Sequence, residues 1–221
     1  MAFPAGCIPG VDVSHYSGVV NWPAAASAGE SFAFTKASEG LFTTDPTLSP
    51  NWDGAKAAGL LRGAYHLLHP GKSGADQATF FLQQLAAANG GTAQLAPGDL
   101  PCVLDIEVAD GAPADTIVAC ATTWLNTVEA ATGRTPILYT FASFWIGSVE
   151  HVPAFARYPL WIAEYGVPAP KGVPKTWADW TLWQYAEQNV PWAAGNADLD
   201  AYKGSLASLQ AFAGIVADTG P

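Results

Sequence analysis

The stretch LPCVLDIEV, residues 100–108, is an apolar run that ends in two carboxylates one residue apart. Because successive side chains of a β-strand point to opposite faces, Val103, Asp105 and Glu107 share one face and the residues between them share the other. The all-apolar face is suited to packing against helices, which leaves the acidic face pointing into the centre of a barrel. Barrel active sites lie at the carboxyl ends of the strands, so the stretch predicts a buried strand that presents two acids at such a site.

Seven further short runs have the composition of strands, and they alternate with Ala-rich segments. The runs are residues 10–15, 32–38, 62–68, 136–141, 159–165, 180–185 and 197–202. Segments 73–91 and 113–133 have the apolar spacing of helices and end in glycine. This order of strand, helix and strand predicts a parallel sheet with right-handed crossovers.

Beyond residue 142 the alternation of strands and helices stops, because Pro- and Gly-rich connections leave little room for helices. Segment 205–217 again has the apolar spacing of a helix. Eight strand runs predict an α/β fold, a closed TIM-like β/α barrel whose last helices are reduced or lost. An open doubly wound sheet is the alternative, but no GxGxxG motif or P-loop follows any of the runs.

Composition limits the class of protein. The 221 residues are 50% hydrophobic and 13% charged, which is typical of a globular protein, and we expect a single catalytic domain over residues 1–221. The net charge of −10, without a cluster of Lys or Arg, argues against nucleic acid as a partner. The longest apolar runs are too short to span a membrane, and residues 1–10 lack the pattern of a secretory signal peptide.

Cysteine and histidine patterns predict neither a metal site nor a cofactor. Cys7, Cys102 and Cys120 lack CxxC spacing, and we expect buried thiols, with one disulfide plus a free thiol as the alternative. His66 and His69 form an HxxH pair, but His66 falls on the outward face of its strand and no third ligand lies at a recognised spacing. A GxSxG elbow is also missing from the sequence.

Other strands are predicted to add acids to the same site. Alternation in the first run places Asp12 on one face with Ser14 and Tyr16, and alternation in the last run places Asp198 with Asp200. By the same rule the other inward side chains are Tyr65, Tyr139, Trp161 and Gln184, with Lys36 as the one cation. A single strand-end Asp more often caps a helix, so it is the convergence of the acids that favours chemistry. Clustered carboxyl groups raise the pKa of at least one member, and an acid that stays protonated beside ionised carboxylates is suited to cleaving a glycosidic bond.

Eight pieces of the sequence resemble, in the same order, the glycoside hydrolase family 25 lysozymes. The pieces are GVDVSHYSGVVNW, FAFTKASEG, AAGLLRGAYH, VLDIE, PILYT, LWIAEY, LWQY and DLDAY. The resemblance implies a barrel of five β/α units followed by three strands, and hydrolysis of the β-1,4 bond between N-acetylmuramic acid and N-acetylglucosamine in peptidoglycan. It also implies that Glu107 is the proton donor, that Asp105 assists at the anomeric carbon, and that Asp12 and Asp198 complete an acidic floor.

The residues expected to contact the sugar are Tyr65, Tyr139, Trp161 and Gln184. Asp105 is either a nucleophile or a group that orients the substrate's own acetamido group, and we favour the second role. Rival functions are a wall-binding barrel with little catalysis and a hydrolase of another N-acetylated glycan such as chitin, although the chitinase signature DxxDxDxE fails at Val103. We expect a monomer that acts on glycan strands of the bacterial cell wall, in an extracellular, periplasmic or phage-delivered setting.

Overall fold

A computed structural model describes residues 3–216, and these residues form one sheet of nine strands. The strands are β1 (Cys7–Val13), β2 (Phe32–Glu39), β3 (Thr43–Thr44), β4 (Leu61–Leu67), β5 (Val103–Asp105), β6 (Ile137–Phe141), β7 (Leu160–Ala163), β8 (Leu182–Asn189) and β9 (Asn196–Lys203). Eight of them close into a barrel, because β1 pairs with β2 on one side and with β9 on the other, while β3 forms a hairpin with the end of β2. The predicted closed α/β barrel is therefore confirmed.

Helices follow each of the first five barrel strands. They are α1 (Trp22–Ala28), α2 (Leu48–Ala57), α3 (Gly74–Ala88), α4 (Ala114–Thr132) and the short α5 (Ala142–Phe144), which continues as a π-helical turn at Trp145–Val149. No α-helix separates β7, β8 and β9 in the described part of the chain. The predicted five β/α units followed by three strands are confirmed.

The last strand reverses the direction of the sheet. The strands from β1 to β8 that form the barrel are parallel neighbours, whereas β9 is antiparallel to both β8 and β1. The link at residues 190–195 is too short for the crossover of about a dozen residues that a parallel neighbour needs. The chain therefore returns to the amino-terminal end of the barrel, where α6 (Leu206–Phe212) packs Leu209 against the inner core.

Helix α6 is shorter than the predicted segment 205–217. The helix ends at Phe212, and Gly214 then adopts a φ of 74°, a left-handed conformation that glycine takes without a steric cost. Residue 217 lies outside the described residues.

The amino-terminal half of the barrel interior is filled with side chains. The rings of Phe32 and Phe34 on β2 face Gly10 and Gly63 on the two neighbouring strands, where a Cβ atom would lie 2.4 and 2.3 Å from the ring atoms. Val103 joins this inner cluster, and its neighbours along the chain pack on the outer side against the helices, as alternation in β5 predicts. Because the amino-terminal half is filled, the barrel interior formed by the described residues has room for a cavity at the carboxyl ends of the strands.

Most of the other buried side chains lie between the outer face of the sheet and the helices. Eight of the nine Trp residues are buried. Cys7, Cys102 and Cys120 are free thiols, of which Cys7 is half-buried and the other two are buried. Within residues 3–216, none of the helices has the length and hydrophobicity needed to cross a membrane.

The predicted grouping of Asp12 with Ser14 and Tyr16 is wrong. The strand ends at Val13, and the Ser14 hydroxyl accepts a hydrogen bond from the backbone N–H of Tyr16 at 3.3 Å, which caps a short 3₁₀ turn. Such hydroxyl caps compete with continuation of a strand. The turn leaves the Tyr16 side chain 80% exposed, whereas Asp12 is buried.

Candidate active site

One cavity of about 220 Å³ lies at the carboxyl ends of the parallel strands. Its lining residues are Asp12, Tyr65, Val103, Asp105, Glu107, Tyr139, Trp161, Tyr165, Gln184, Glu187 and Asp198. All eight residues that the sequence nominates for catalysis or substrate binding are among them. The structure therefore brings together side chains from seven strands or strand ends at one mouth.

Asp105 and Glu107 stand side by side at the end of β5. Asp105 is the last residue of the strand and is buried, and Glu107 follows two residues later and is partly exposed at the mouth. Burial, and then the charge of Glu107, raise the pKa of Asp105 well above its ordinary value. Burial also raises the pKa of Glu107. A pair of acids in this setting holds at least one proton at a pH where isolated carboxyl groups have lost theirs.

Lys36 is the cation that faces this pair. Its charge lowers the pKa of both Asp105 and Glu107 and so opposes the effect of burial. The Lys36 Nζ atom donates a hydrogen bond of 2.6 Å to the Oε2 atom of Glu39, which holds the ammonium group at the end of β2. The side chain of Lys36 is only 11% exposed, so its charge is less screened than that of a surface lysine.

Asp12 and Asp198 form the opposite side of the acidic floor. They are directly paired across the antiparallel strands β1 and β9. Burial, followed by the charge of Asp198, raises the pKa of Asp12 well above its ordinary value. Burial, followed by the charge of Glu187, raises the pKa of Asp198 to about 6. Both acids therefore lose their protons at a higher pH than an exposed Asp does.

Gln184 connects three walls of the cavity. Its Nε2 atom donates a hydrogen bond of 2.7 Å to Asp12 Oδ2, and its Oε1 atom accepts hydrogen bonds from the hydroxyls of Tyr139 at 2.8 Å and Tyr165 at 2.6 Å. An ionised Asp12 only accepts hydrogen bonds, so it requires the amide nitrogen on its side, and the carbonyl oxygen then faces the two phenols, which can donate to it. Gln184 thus fixes the orientation of an acid and two rings at once.

The aromatic residues line the remaining walls. Burial, and then the charge of Asp12, raise the pKa of the Tyr65 hydroxyl, so this phenol stays protonated. The ring of Trp161 packs against Tyr139 with 5.1 Å between ring centroids, and its indole N–H donates to Asp200 Oδ1 at 3.0 Å. Trp161 is therefore held from two sides beneath the cavity.

Two lining residues were missed by the sequence analysis. Tyr165 lies two alternations beyond Trp161, so the strand period contained the signal for it. The sequence contained no signal for Glu187, because a bulge between Gln184 and Ala186 shifts the register of β8 and places Glu187 opposite Asp198. A bulge of this kind turns a side chain to the other face of the sheet.

The HxxH histidines lie outside the cavity and have different partners. His66 is buried between Ser38 Oγ at 2.8 Å and Gln77 Oε1 at 3.2 Å, and burial lowers its pKa to about 4. His69 lies between the carboxylates of Glu39 and Asp110 at 3.1 and 2.8 Å. Among residues 3–216, no group of three or more His, Cys, Asp or Glu side chains is arranged to hold a metal ion.

The sequence and the fold are similar to those of known proteins. Residues 11–191 match the profile of the glycosyl hydrolases of family 25. Lysozyme M1 of Streptomyces globisporus is 40% identical over 217 residues, which cover 93% of this chain and 71% of that protein. An N,O-diacetylmuramidase of Chalaropsis is 35% identical over 209 residues, or 90% of this chain and 92% of that protein. The solved structure of a bacterial lysozyme from Streptomyces coelicolor has a TM-score of 0.86 and 35% identity, and covers 96% of this chain and 100% of that chain.

Proposed function

The chain belongs to the glycosyl hydrolases of family 25 and is a glycoside hydrolase of the lysozyme class, and we propose that Glu107 is its general acid and base with Asp105 as its partner. The substrate is the glycan strand of peptidoglycan, cleaved at the β-1,4 bond between N-acetylmuramic acid and N-acetylglucosamine. These residue roles are supported by the shared cavity, which is lined by Asp105 and Glu107 at the end of β5 and by Asp12 and Asp198 from β1 and β9.

Glu107 is suited to proton donation. Burial raises its pKa above the ordinary value of 4.5, so the carboxyl group retains its proton at a pH where an exposed Glu has lost it. Its place at the mouth, two residues beyond the buried end of β5, leaves it accessible to the oxygen of the leaving sugar. Protonation of that oxygen by a positioned acid contributes about 10²- to 10⁴-fold to the rate of such a step.

Asp105 is suited to guiding the acetamido group of the substrate. Its side chain lines the cavity and makes no hydrogen bond with the described residues, and because Oδ1 is buried, Oδ2 is the oxygen available to accept the acetamido N–H. Burial raises the pKa of Asp105 as well as that of Glu107, so in the protein alone Asp105 keeps its proton to a higher pH than an exposed Asp does. The positive charge of Lys36 opposes this effect, and a hydrogen bond donated by the substrate would favour the ionised form further. Substrate binding is thereby coupled to the protonation states that catalysis needs.

The other lining residues are assigned to substrate binding. Asp12 and Asp198 supply negative charge on the far side of the cavity, where an oxocarbenium-like transition state gains electrostatic stabilisation. The hydroxyls of Tyr65 and Tyr139 stay protonated because burial raises their pKa, so both can donate hydrogen bonds to sugar oxygens. Trp161 packs against Tyr139, and Gln184 bonds both Tyr139 and Asp12, so these two residues hold their neighbours in place while they line the sugar site themselves.

We propose that residues 1–221 form one catalytic domain and that the protein acts as a monomer. The enzyme acts on cell-wall peptidoglycan, and we propose that it meets this polymer outside the cytoplasm, either in the extracellular or periplasmic space or after delivery by a phage.

The role of Glu107 is tested by replacing it with Gln, which preserves its shape but removes the proton. We expect release of reducing sugar from purified peptidoglycan to fall about 10²- to 10⁴-fold, with an unchanged circular dichroism spectrum. Glu150→Gln, at an exposed position, is the matched control and should keep full activity. A Glu107→Gln protein that is as active as the wild type would refute the assignment.

The role of Asp105 is tested by intact-mass analysis of Glu107→Gln mixed with an aryl glycoside of an N-acetylmuramic acid-terminated fragment, whose phenolate leaves without a proton donor. The substrate-assisted route predicts no covalent glycosyl adduct, because the acetamido oxygen of the substrate attacks its own anomeric carbon. An adduct mapped to Asp105 would identify it as the nucleophile instead.

A further inference from the structure

Asp200 is a buried acid beneath the floor of the cavity, and it does not line the cavity itself. It lies on β9 two residues after Asp198, opposite Gly10 of β1. Its side chain is inaccessible to solvent, with 0% of the residue exposed. An ionised carboxylate at such a depth is costly unless it is paired, so its bonding partners decide its state.

The two oxygens of Asp200 have different surroundings. Oδ1 accepts the hydrogen bond of 3.0 Å from the indole nitrogen of Trp161. Oδ2 is buried, and no donor from the described part of the chain reaches it. The Asp200 carboxyl group is, however, within hydrogen-bonding reach of the Asp12 carboxyl group. Since ionised carboxylates are acceptors only, this contact is a hydrogen bond only if one of the two acids carries a proton.

The proton belongs on Asp200. Asp12 lines the cavity and accepts a hydrogen bond of 2.7 Å from Gln184 Nε2, so a donor and the solvent in the cavity both stabilise its charge, whereas Asp200 is fully buried and accepts only from Trp161. Asp12 is thus in the position of an acceptor. Burial, followed by the charges of Asp12 and Asp198, raises the pKa of Asp200 well above its ordinary value. The nearby titratable groups are Asp12 on β1, Asp198 on the same strand and the phenols of Tyr165 and Tyr185, none of which is a cation.

We propose that Asp200 is a neutral carboxylic acid that accepts a hydrogen bond from Trp161 and donates one to Asp12, and that it thereby acts as a positioning residue for the cavity floor. Its role in catalysis rests on the proposed function of that floor. In this state Asp200 accepts one hydrogen bond and donates one, and an asparagine at the same place can reproduce both with its carbonyl oxygen and one of its two N–H groups. The cluster of Asp12, Asp198 and Asp200 then carries one negative charge fewer than three ionised carboxylates would.

The protonation state is tested first by carbon-13 NMR of the full chain labelled at its Asp carboxyl carbons. The Asp200 signal is identified as the one that disappears in Asp200→Asn. We expect this signal to keep the chemical shift of a protonated acid across the whole pH range of enzyme activity. A shift that moves with pH inside this range would overturn the proposal.

The positioning role is tested by measuring kcat and KM on peptidoglycan against pH for Asp200→Asn and Asp200→Leu. Asp53→Asn, which removes a charge from a side chain that is 77% exposed, serves as the control for net charge. We expect Asp200→Asn to keep kcat within about twofold and to leave the alkaline limb of the profile in place. Asp200→Leu should lower kcat about 10- to 100-fold, the effect of losing one hydrogen bond to a charged group.

Three results would contradict the proposal. An alkaline limb that moves to lower pH in Asp200→Asn would mean that a negative charge near Glu107 had been removed. Loss of activity in Asp200→Asn, or full activity in Asp200→Leu, would refute the positioning role. The NMR measurement and the Asp200→Asn profile do not depend on the folding of Asp200→Leu. If the wild type did not cleave peptidoglycan at all, the proposed function would fail, while the NMR signal would still report the state of Asp200.

Discussion

Replacing Glu30 with Gln should stabilise the protein at alkaline pH and leave its stability at acidic pH almost unchanged. Glu30 lies between α1 and β2, outside the cavity. Its Oε2 atom is buried without a hydrogen-bond partner among the described residues, and burial raises its pKa from 4.5 to about 7. The same physical cause, burial of a carboxyl group, raises the pKa of Glu107, so Glu30 tests this reasoning away from the site.

The magnitude follows from linkage between protonation and folding. Because the folded-state pKa lies above the unfolded value, Glu30 stabilises the fold fully below pH 4.5, and this contribution is lost as the pH rises from 4.5 to about 7. The difference between these pKa values corresponds to at most about 3 kcal/mol. Since the side chain of Glu30 is only partly buried, solvent screening reduces the expected gain of the Gln variant to about 1–2 kcal/mol at pH 8.

The assay is urea unfolding of the wild type and Glu30→Gln, monitored by Trp fluorescence at pH 4 and at pH 8. The difference in the free energy of unfolding between the two proteins should be close to zero at pH 4 and should favour the variant at pH 8. Glu150→Gln, at an exposed position, should show the same small difference at both pH values. Equal differences at both pH values in Glu30→Gln would refute the claim that burial raises the pKa of this carboxyl.

Two further variants test the packing and the electrostatics of the barrel. Gly63→Ala would place a Cβ atom 2.3 Å from the ring of Phe34, so it should lower the free energy of unfolding by about 1–3 kcal/mol, as measured by urea unfolding; an unchanged midpoint would contradict the packing. Lys36→Met removes the charge that lowers the pKa of Glu107, so the alkaline limb of kcat/KM should move to higher pH, and it should stay in place in the exposed control Lys175→Met.

Much of the barrel could be predicted from the sequence, because the alternation of side chains in strands and the apolar spacing of helices identify its elements. The alternation around Val103 distinguishes the inner from the outer face of β5, and the glycine-terminated segments mark the helices. The reversed direction of β9 was not predicted, although the short link at 190–195 contained the signal. Connection length, in addition to strand composition, decides which direction a neighbouring strand can take.

The site was predictable wherever the strands are regular. Asp12, Asp105 and Asp198 follow from simple alternation, and each lies on the cavity. Ser14 departs from it, because a hydroxyl that caps a turn ends the strand early. Glu187 also departs from it, because the bulge in β8 changes the face to which its side chain points. Local backbone irregularities of this kind depend on partner strands, which a single stretch of sequence does not specify.

The contacts that shift the pKa values of the acids were the least predictable part of the site. The bulge between Lys36 and Ser38 in β2 precedes Glu39, and Glu39 in turn bonds both Lys36 and His69. These three groups come from the ends of neighbouring strands, where distances of less than an ångström decide whether a hydrogen bond forms. Alternation nominates the faces of such residues but does not assign their partners.

Mass analysis of peptidoglycan digested with the wild type shows directly whether the enzyme is a muramidase whose chemistry depends on Glu107. After reduction with borohydride, we expect fragments whose reduced end is N-acetylmuramic acid, and we expect these fragments to be lost when Glu107→Gln replaces the wild type. Fragments that end in reduced N-acetylglucosamine, or the same fragments from Glu107→Gln at an undiminished rate, would contradict it.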